Sequence, residues 1–173
     1  MKTETLNSMK ERRSVIAYKS EQITKEELDI VLEAGTYAAS GMGRQASKIV
    51  AIQDKETADL VRKLNAQARG TTADPFYGAP TIIVVFSDST VNTCVEDGSL
   101  VIGNLMLGAY SVGLGSCWIH WAKETFETEE GKALKKKWGL PENYLGVGNC
   151  ALGYPAASLP AAKPRKEDYI VKI

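Results

Sequence analysis

The 173 residues are enough for one domain, and a composition of 44% hydrophobic and 24% charged residues describes a chain that folds around a core. Its 21 basic residues balance its 21 acidic ones, so no bulk field draws it to a nucleic-acid backbone or an anionic membrane, and neither partner is expected. Three cysteines without a CxxC pair and a single histidine, His120, exclude a zinc site of the usual Cys/His type and argue against a disulfide framework. No metal is expected.

The opening MKTETLNSMKERRS has no apolar centre of a signal peptide, which makes the cytoplasm the expected compartment. Thr3 to Arg13 reads as a short amphipathic helix with Leu6 and Met9 turned inward, followed by an extended piece from Val15 to Tyr18. Thr24 and Glu27 have the spacing of a capping box, and Leu28, Val31, Leu32 and Ala34 recur at helical spacing as far as Gly35. The small residues of Ala38 to Gln45 suit a binding loop better than a core element. A strand at Ile49 to Ile52, a helix from Lys55 to Gln67 and a loop from Arg69 to Tyr77 come next. The unbroken apolar run from Pro80 to Phe86 predicts a strand buried on both faces, at the centre of the sheet.

From Gly98 to Trp121 there is no Asp, Glu, Lys or Arg, a length that raises the question of a membrane span. Frequent glycines, with Asn104, Ser111, Ser116 and His120, argue against one. The Gly113-Leu114-Gly115 turn signal divides the stretch into a buried helix, roughly Val95 to Leu114, and a strand from Ser116 to Trp121. A charged helix ending near Trp138 to Pro141 and a last core strand, Tyr144 to Leu152, complete the body. The proline-bearing tail from Tyr154 runs extended over a surface, and its end, Tyr169 to Ile173, alternates like an added strand.

A helix apolar on every side needs cover all round, and a chain of this size has few elements to supply it. A second copy would supply it, with Gly103, Gly108 and Ala109 allowing close approach and the tail crossing to the partner. The reading is one domain over 1–173, in an intertwined homodimer, with the tail 154–173 extending onto the other subunit.

Among candidate functional residues, Arg12, Arg13 and Ser14 end the first helix, where basic side chains also suit the helix dipole. A second basic pair, Lys163 and Arg165, lies in the tail. Two such clusters on a neutral chain fit one dianionic phosphate, equally with a solvated helix end and a solvated linker. Gly113-Leu114-Gly115-Ser116 follows a helix and precedes a strand, the reverse of a dinucleotide-binding loop, and reads as a helix C-cap. His120 could act as a base or could be a satisfied, partly buried side chain, and the cysteines are most simply core residues.

Taken together, Glu11 to Tyr18 (ERRSVIAY), Ala38 to Gln45 (AASGMGRQ), Ala79-Pro80, Gly113 to Trp118 (GLGSCW) and Lys163 to Arg165 (KPR) resemble the FMN-dependent nitroreductase family over nearly the whole chain. The resemblance implies an α+β fold, a mainly antiparallel sheet wrapped by helices, and a dimer with two FMN sites at its interface. It also implies that Arg12, Arg13 and Ser14 hold the phosphate and ribityl region with Lys163 and Arg165, and that Ser40, Met42 and Gln45 come from the other subunit. Asn65 is a further cofactor-binding candidate. Trp118, Ile119 and His120 look like the segment whose backbone lies along the isoalloxazine and offers an N–H to N5. The implied chemistry belongs to the flavin: NADH or NADPH supplies hydride, and a small-molecule acceptor such as a nitroaromatic or a quinone takes the reducing equivalents. No catalytic side chain is required. One departure stands out: the family usually carries a cation two positions after this serine, near flavin N1 and O2, where this chain has Ile16. A flavin-binding protein of the same fold with little turnover is the alternative that Ile16 motivates.

Overall fold

Thr81–Asp88 forms β2, and seven of its eight residues are buried, which is why the run carries no alternation of apolar and polar side chains. The computed structural model describes residues 3–173; Met1 and Lys2, at the head of the expected 1–173 domain, lie outside the described residues. With β1 (Ser47–Ile52), β3 (Gly115–Ile119) and β4 (Tyr144–Gly153), β2 builds an antiparallel sheet in the order β1-β2-β4-β3. The apolar run predicted as the sheet centre is one of its two inner strands.

Among the described residues six α-helices surround the sheet: α1 (Glu4–Glu11), α2 (Lys25–Thr36), α3 (Lys55–Arg69), α4 (Cys94–Ser111), α5 (Ala122–Glu127) and α6 (Glu129–Lys137), with α1 lying on α4. Alternate residues of β2 face opposite layers. Ile82, Val84 and Phe86 meet Val61 of α3, Phe126 of α5 and Leu134 of α6, while Ile83 and Val85 meet Val31 of α2 and Val101, Ile102 and Leu105 of α4. Phe86 and Phe126 pack edge to face at 4.8 Å, and each such buried side chain is worth about 1.5–3 kcal/mol relative to exposure.

Local signals behave as their chemistry dictates. The Glu27 N–H donates to Thr24 Oγ1 at 3.2 Å and the Thr24 N–H to Glu27 Oε2 at 2.8 Å, closing the capping box on α2. At the end of α4 the Leu114 N–H donates to the Ala109 carbonyl and the Gly113 N–H to that of Tyr110, with Gly113 at φ 79°. This is a Schellman turn, and the left-handed conformation is the reason a glycine stands there.

Three expectations need correction. Leu6 and Met9 are exposed and α1 buries no residue, because α1 lies on α4 with its apolar side facing away from the chain's own core. The charged helix is two helices, since Thr128 leaves helical geometry and its hydroxyl accepts the Gly131 N–H to start α6. The strand ends at Ile119: Trp121 is left-handed at φ 69° and opens α5. The tail, expected to add its end to a second copy, is exposed on its own chain and carries a 3-10 turn at Glu167–Tyr169.

Helix α4 is partly covered by its own chain. Its close-approach residues serve an internal contact, since a Cβ on Gly108 would stand 2.7 Å from Ala34 Cβ of α2, and Ala109 is buried. What remains outward are Val95 and Leu100, both half-exposed, and the open side of Gly103. Among the described residues no helix is long and apolar enough to cross a membrane.

Candidate functional site

Arg12 ends α1 by turning to extended geometry, and the chain then runs beside β3, where Ser14 bridges Ser116 and the Val15 N–H donates to the Ser116 carbonyl at 3.0 Å. The Arg13 guanidinium folds back and donates from Nη1 to the carbonyls of Lys10 and Arg12, at 2.6 and 2.7 Å. It thereby caps the helix it terminates, where the dipole favours a cation. Three donors here are buried without a partner: Arg12 Nη1, Arg13 Nε and the Ser116 hydroxyl. A buried guanidinium nitrogen with no acceptor is unfavourable by itself, so this part-exposed cluster is complementary to an anion that the described residues do not supply. Burial pushes the nearby Cys117 thiol up, while Ser14 and then Arg12 pull it down.

The end of β3 is the second component. Ile119 points into the core and offers only its backbone, whereas Trp118 and His120 are exposed and stack at 5.3 Å. His120 is therefore a surface side chain between Trp118 and Trp121, not a partly buried one. Asn65 of α3 is fully buried, and its amide donates to the His120 carbonyl at 2.8 Å and to Thr125 Oγ1 at 3.2 Å. The structure thus puts Asn65 behind the strand end, with its donor group committed within the protein. Asn149 of β4 joins it, donating to the carbonyls of Ile119 and His120 at 3.2 and 3.1 Å.

The third component is the loop. Ser40 Oγ accepts the Gln45 N–H at 3.1 Å, and Met42 and Gln45 take left-handed φ of 55° and 50°, so the loop is a tight, internally bonded turn. Met42 is 88% exposed, and Gln45 is exposed as well. What anchors the loop is Asp97 in the first turn of α4, only 3% exposed, whose Oδ1 accepts the Gly41 N–H at 2.9 Å and whose Oδ2 accepts the Thr93 hydroxyl at 3.1 Å. A Cβ on Gly41 would collide with that hydroxyl, which fixes the residue as glycine. A cavity of about 360 Å³, bordered by Leu32, Ser40, Gln45, Ile49, Asp97 and Val101, lies against the loop. A larger hollow of about 840 Å³ between α5, α6 and the start of β4 contains none of the predicted residues, and its Lys123 and Lys132 are paired with Glu127 and Glu129.

Lys163 and Arg165 lie on the exposed tail, where Arg165 turns back to the Lys163 carbonyl at 2.7 Å. Among the described residues no hydrogen bond or ion pair joins them to Arg12, Arg13 or Ser14. Ser116, Asp97 and Asn149 are the residues that sequence reasoning passed over. Asp97 did leave a signal, since it is the last acid before the uncharged stretch, at the head of the most apolar helix.

The nitroreductase family signature matches residues 9–154, from α1 through all four strands to the start of the tail. The chain belongs to the nitroreductase family. Among solved structures, a nitroreductase with bound FMN from Bacteroides fragilis NCTC 9343 is 32% identical with a TM-score of 0.87, the match covering 98% of both chains. Another with bound FMN, from Desulfitobacterium hafniense DCB-2, is 26% identical with a TM-score of 0.88 over the full length of both. A Vibrio harveyi NADPH-flavin oxidoreductase is 26% identical over 96% of this chain and 72% of its own. The α+β architecture seen here, four antiparallel strands flanked by helices among the described residues, is thus a nitroreductase fold.

Proposed function

We propose that this nitroreductase-family protein is an FMN-dependent oxidoreductase that uses NADH or NADPH, acts on a small electron acceptor such as a nitroaromatic or quinone by a ping-pong mechanism, and works as a homodimer. The observation that carries the reading is the set of buried, unpartnered donors on Arg12, Arg13 and Ser116, which suits the phosphate end of FMN. When bound, FMN supplies the redox chemistry, taking hydride from the nicotinamide and passing reducing equivalents to the acceptor. Arg12 and Arg13 neutralise the phosphate, and Ser14 holds the ribityl side. The backbone at Trp118, Ile119 and His120 would hold the ring, and the exposed Trp118 and His120 side chains, stacked on each other, would offer it an aromatic wall. From the second subunit Ser40, Met42 and Gln45 would pack against the flavin, and Lys163 and Arg165 would complete the phosphate pocket. Half-exposed Leu6, Met9, Val95 and Leu100 support the dimer, because together they leave an apolar surface on α1 and α4 that a second copy would cover.

A visible spectrum of the purified protein, followed by anaerobic addition of NADH and then NADPH, tests the proposal. A yellow protein that bleaches with one of them and recovers its colour with a quinone or a nitroaromatic supports it, and a protein that takes up no FMN overturns it. Ile16, 63% exposed beside the arginine cluster, favours a second reading. A protein that keeps FMN and is not bleached would be a flavin carrier with little turnover.

A further inference from the structure

Two buried carboxamides from distant parts of the chain meet at one backbone oxygen. Asn65 from α3 and Asn149 from β4 both donate to the His120 carbonyl, at 2.8 and 3.1 Å, and both side chains are fully buried. Asn149 also reaches the preceding carbonyl, that of Ile119, at 3.2 Å. Successive carbonyls of a strand point in opposite directions, yet here two in a row are turned to the same buried amide. The next carbonyl, of Trp121, is taken by the Thr125 hydroxyl at 2.6 Å, and Trp121 itself is left-handed.

Because a trans peptide places N–H opposite C=O, holding the Ile119 and His120 carbonyls inward turns the N–H groups of His120 and Trp121 outward. Neither N–H has an acceptor among the described residues. Adjacent free N–H groups of this kind form a small concave donor pair, suited to an electronegative ring edge. Each asparagine also leaves its own Oδ1 buried and unpartnered, so the arrangement sacrifices two acceptors to keep both donors on that carbonyl.

We propose that Asn149 and Asn65 are positioning residues that act through the His120 carbonyl to aim the His120 and Trp121 N–H groups at the polar edge of the flavin. This rests on the reading that the backbone from Trp118 to His120 lies along FMN. Asn65 then serves the cofactor through the peptide in front of it, without direct contact, and Asn149 acquires a role that the sequence alone did not suggest.

The test uses the FMN-loaded protein and compares wild type with Asn149→Leu and Asn65→Leu, which keep side-chain size and remove the donor. Three measurements are made: FMN affinity, the midpoint potential of the bound flavin, and amide hydrogen exchange at His120 and Trp121 with and without FMN. In wild type, FMN should slow exchange at these amides at least tenfold. In each variant the FMN dissociation constant should rise about tenfold, the protection should be lost and the potential should move. Because both donors share one carbonyl, the double variant should fall well short of the hundredfold expected from independent sites. Thr125→Val, which deletes the hydroxyl on the next carbonyl, is the milder probe if the leucine variants do not fold, with an expected loss of about threefold. Folded variants with wild-type affinity, protection and potential would overturn the proposal. Wild-type protein that binds FMN without protecting these amides would overturn the reading beneath it as well.

Discussion

The Arg12 guanidinium has no hydrogen-bond partner among the described residues, so its removal orphans no group there and its effect should register almost wholly in cofactor binding. Losing a charged hydrogen bond to phosphate costs about 1.5–3 kcal/mol, so Arg12→Ala should raise the FMN dissociation constant by roughly tenfold to a hundredfold in a fluorescence titration. Ile16 makes the opposite experiment possible. At an effective dielectric near 20 and about 4 Å, a cation would stabilise an anionic flavin edge by roughly 4 kcal/mol, and exposure to solvent reduces that several-fold. Ile16→Arg should therefore raise the two-electron potential by some tens of millivolts, about 30 mV for each 1.4 kcal/mol, as read against a reference dye. The cysteines sort by burial. Burial pushes the Cys150 thiol up to about 12 and also raises Cys117, whereas Cys94 is partly exposed, so Cys94 should be the first to react with a thiol reagent in the native protein. The folded state holds the Cys150 proton more tightly than the unfolded chain does. Its contribution is complete below about pH 9 and is lost as pH rises toward 12. Thermal melts from pH 8 to 11 should fall less steeply for Cys150→Ala than for wild type.

Elements whose cause is local were legible before any coordinates. Thr24 and Glu27 sit three residues apart ahead of an apolar periodicity, and the box they predict is present, with Glu27 also accepting the Tyr154 hydroxyl at 2.6 Å. That hydroxyl is the main reason the Glu27 carboxyl lies below its usual range, followed by the Thr24 backbone. Thr24→Ala should destabilise the protein by about 0.5–2 kcal/mol in denaturant unfolding. The Ser40–Gln45 loop was legible as a loop from its small residues. What holds it was not, because Asp97 reaches Gly41 from 56 positions further along the chain and composition carries no trace of that pairing. The break at Thr128 and the exit of Trp121 from β3 were missed for a related reason. Both depend on single residues leaving regular geometry inside stretches whose average character continues unchanged.

At the level of the whole molecule, the buried double-faced strand could be read from its apolar run, but the order β1-β2-β4-β3 could not, since it is decided by which distant edges meet. The outward apolar side of α1 shows the limit most clearly: Leu6 and Met9 have helical spacing suited to burial, and no surface among the described residues receives them. On the dimer proposal, deleting Tyr169 to Ile173 should weaken subunit association and FMN retention together, measured by sedimentation and by absorbance on the same sample. A flavin-bound monomer would argue against it. The hydrogen bond from Gly41 to Asp97 ties the loop to the head of α4, so on the proposed function one unit would face two associations at once, its outer stripe the second copy and its loop the cofactor. Mass action then couples them. Excess FMN would drive subunits together, with a hundredfold surplus over the dissociation constant worth about 2.7 kcal/mol per site, and dilution of the protein would shed FMN even when no residue of the pocket has changed.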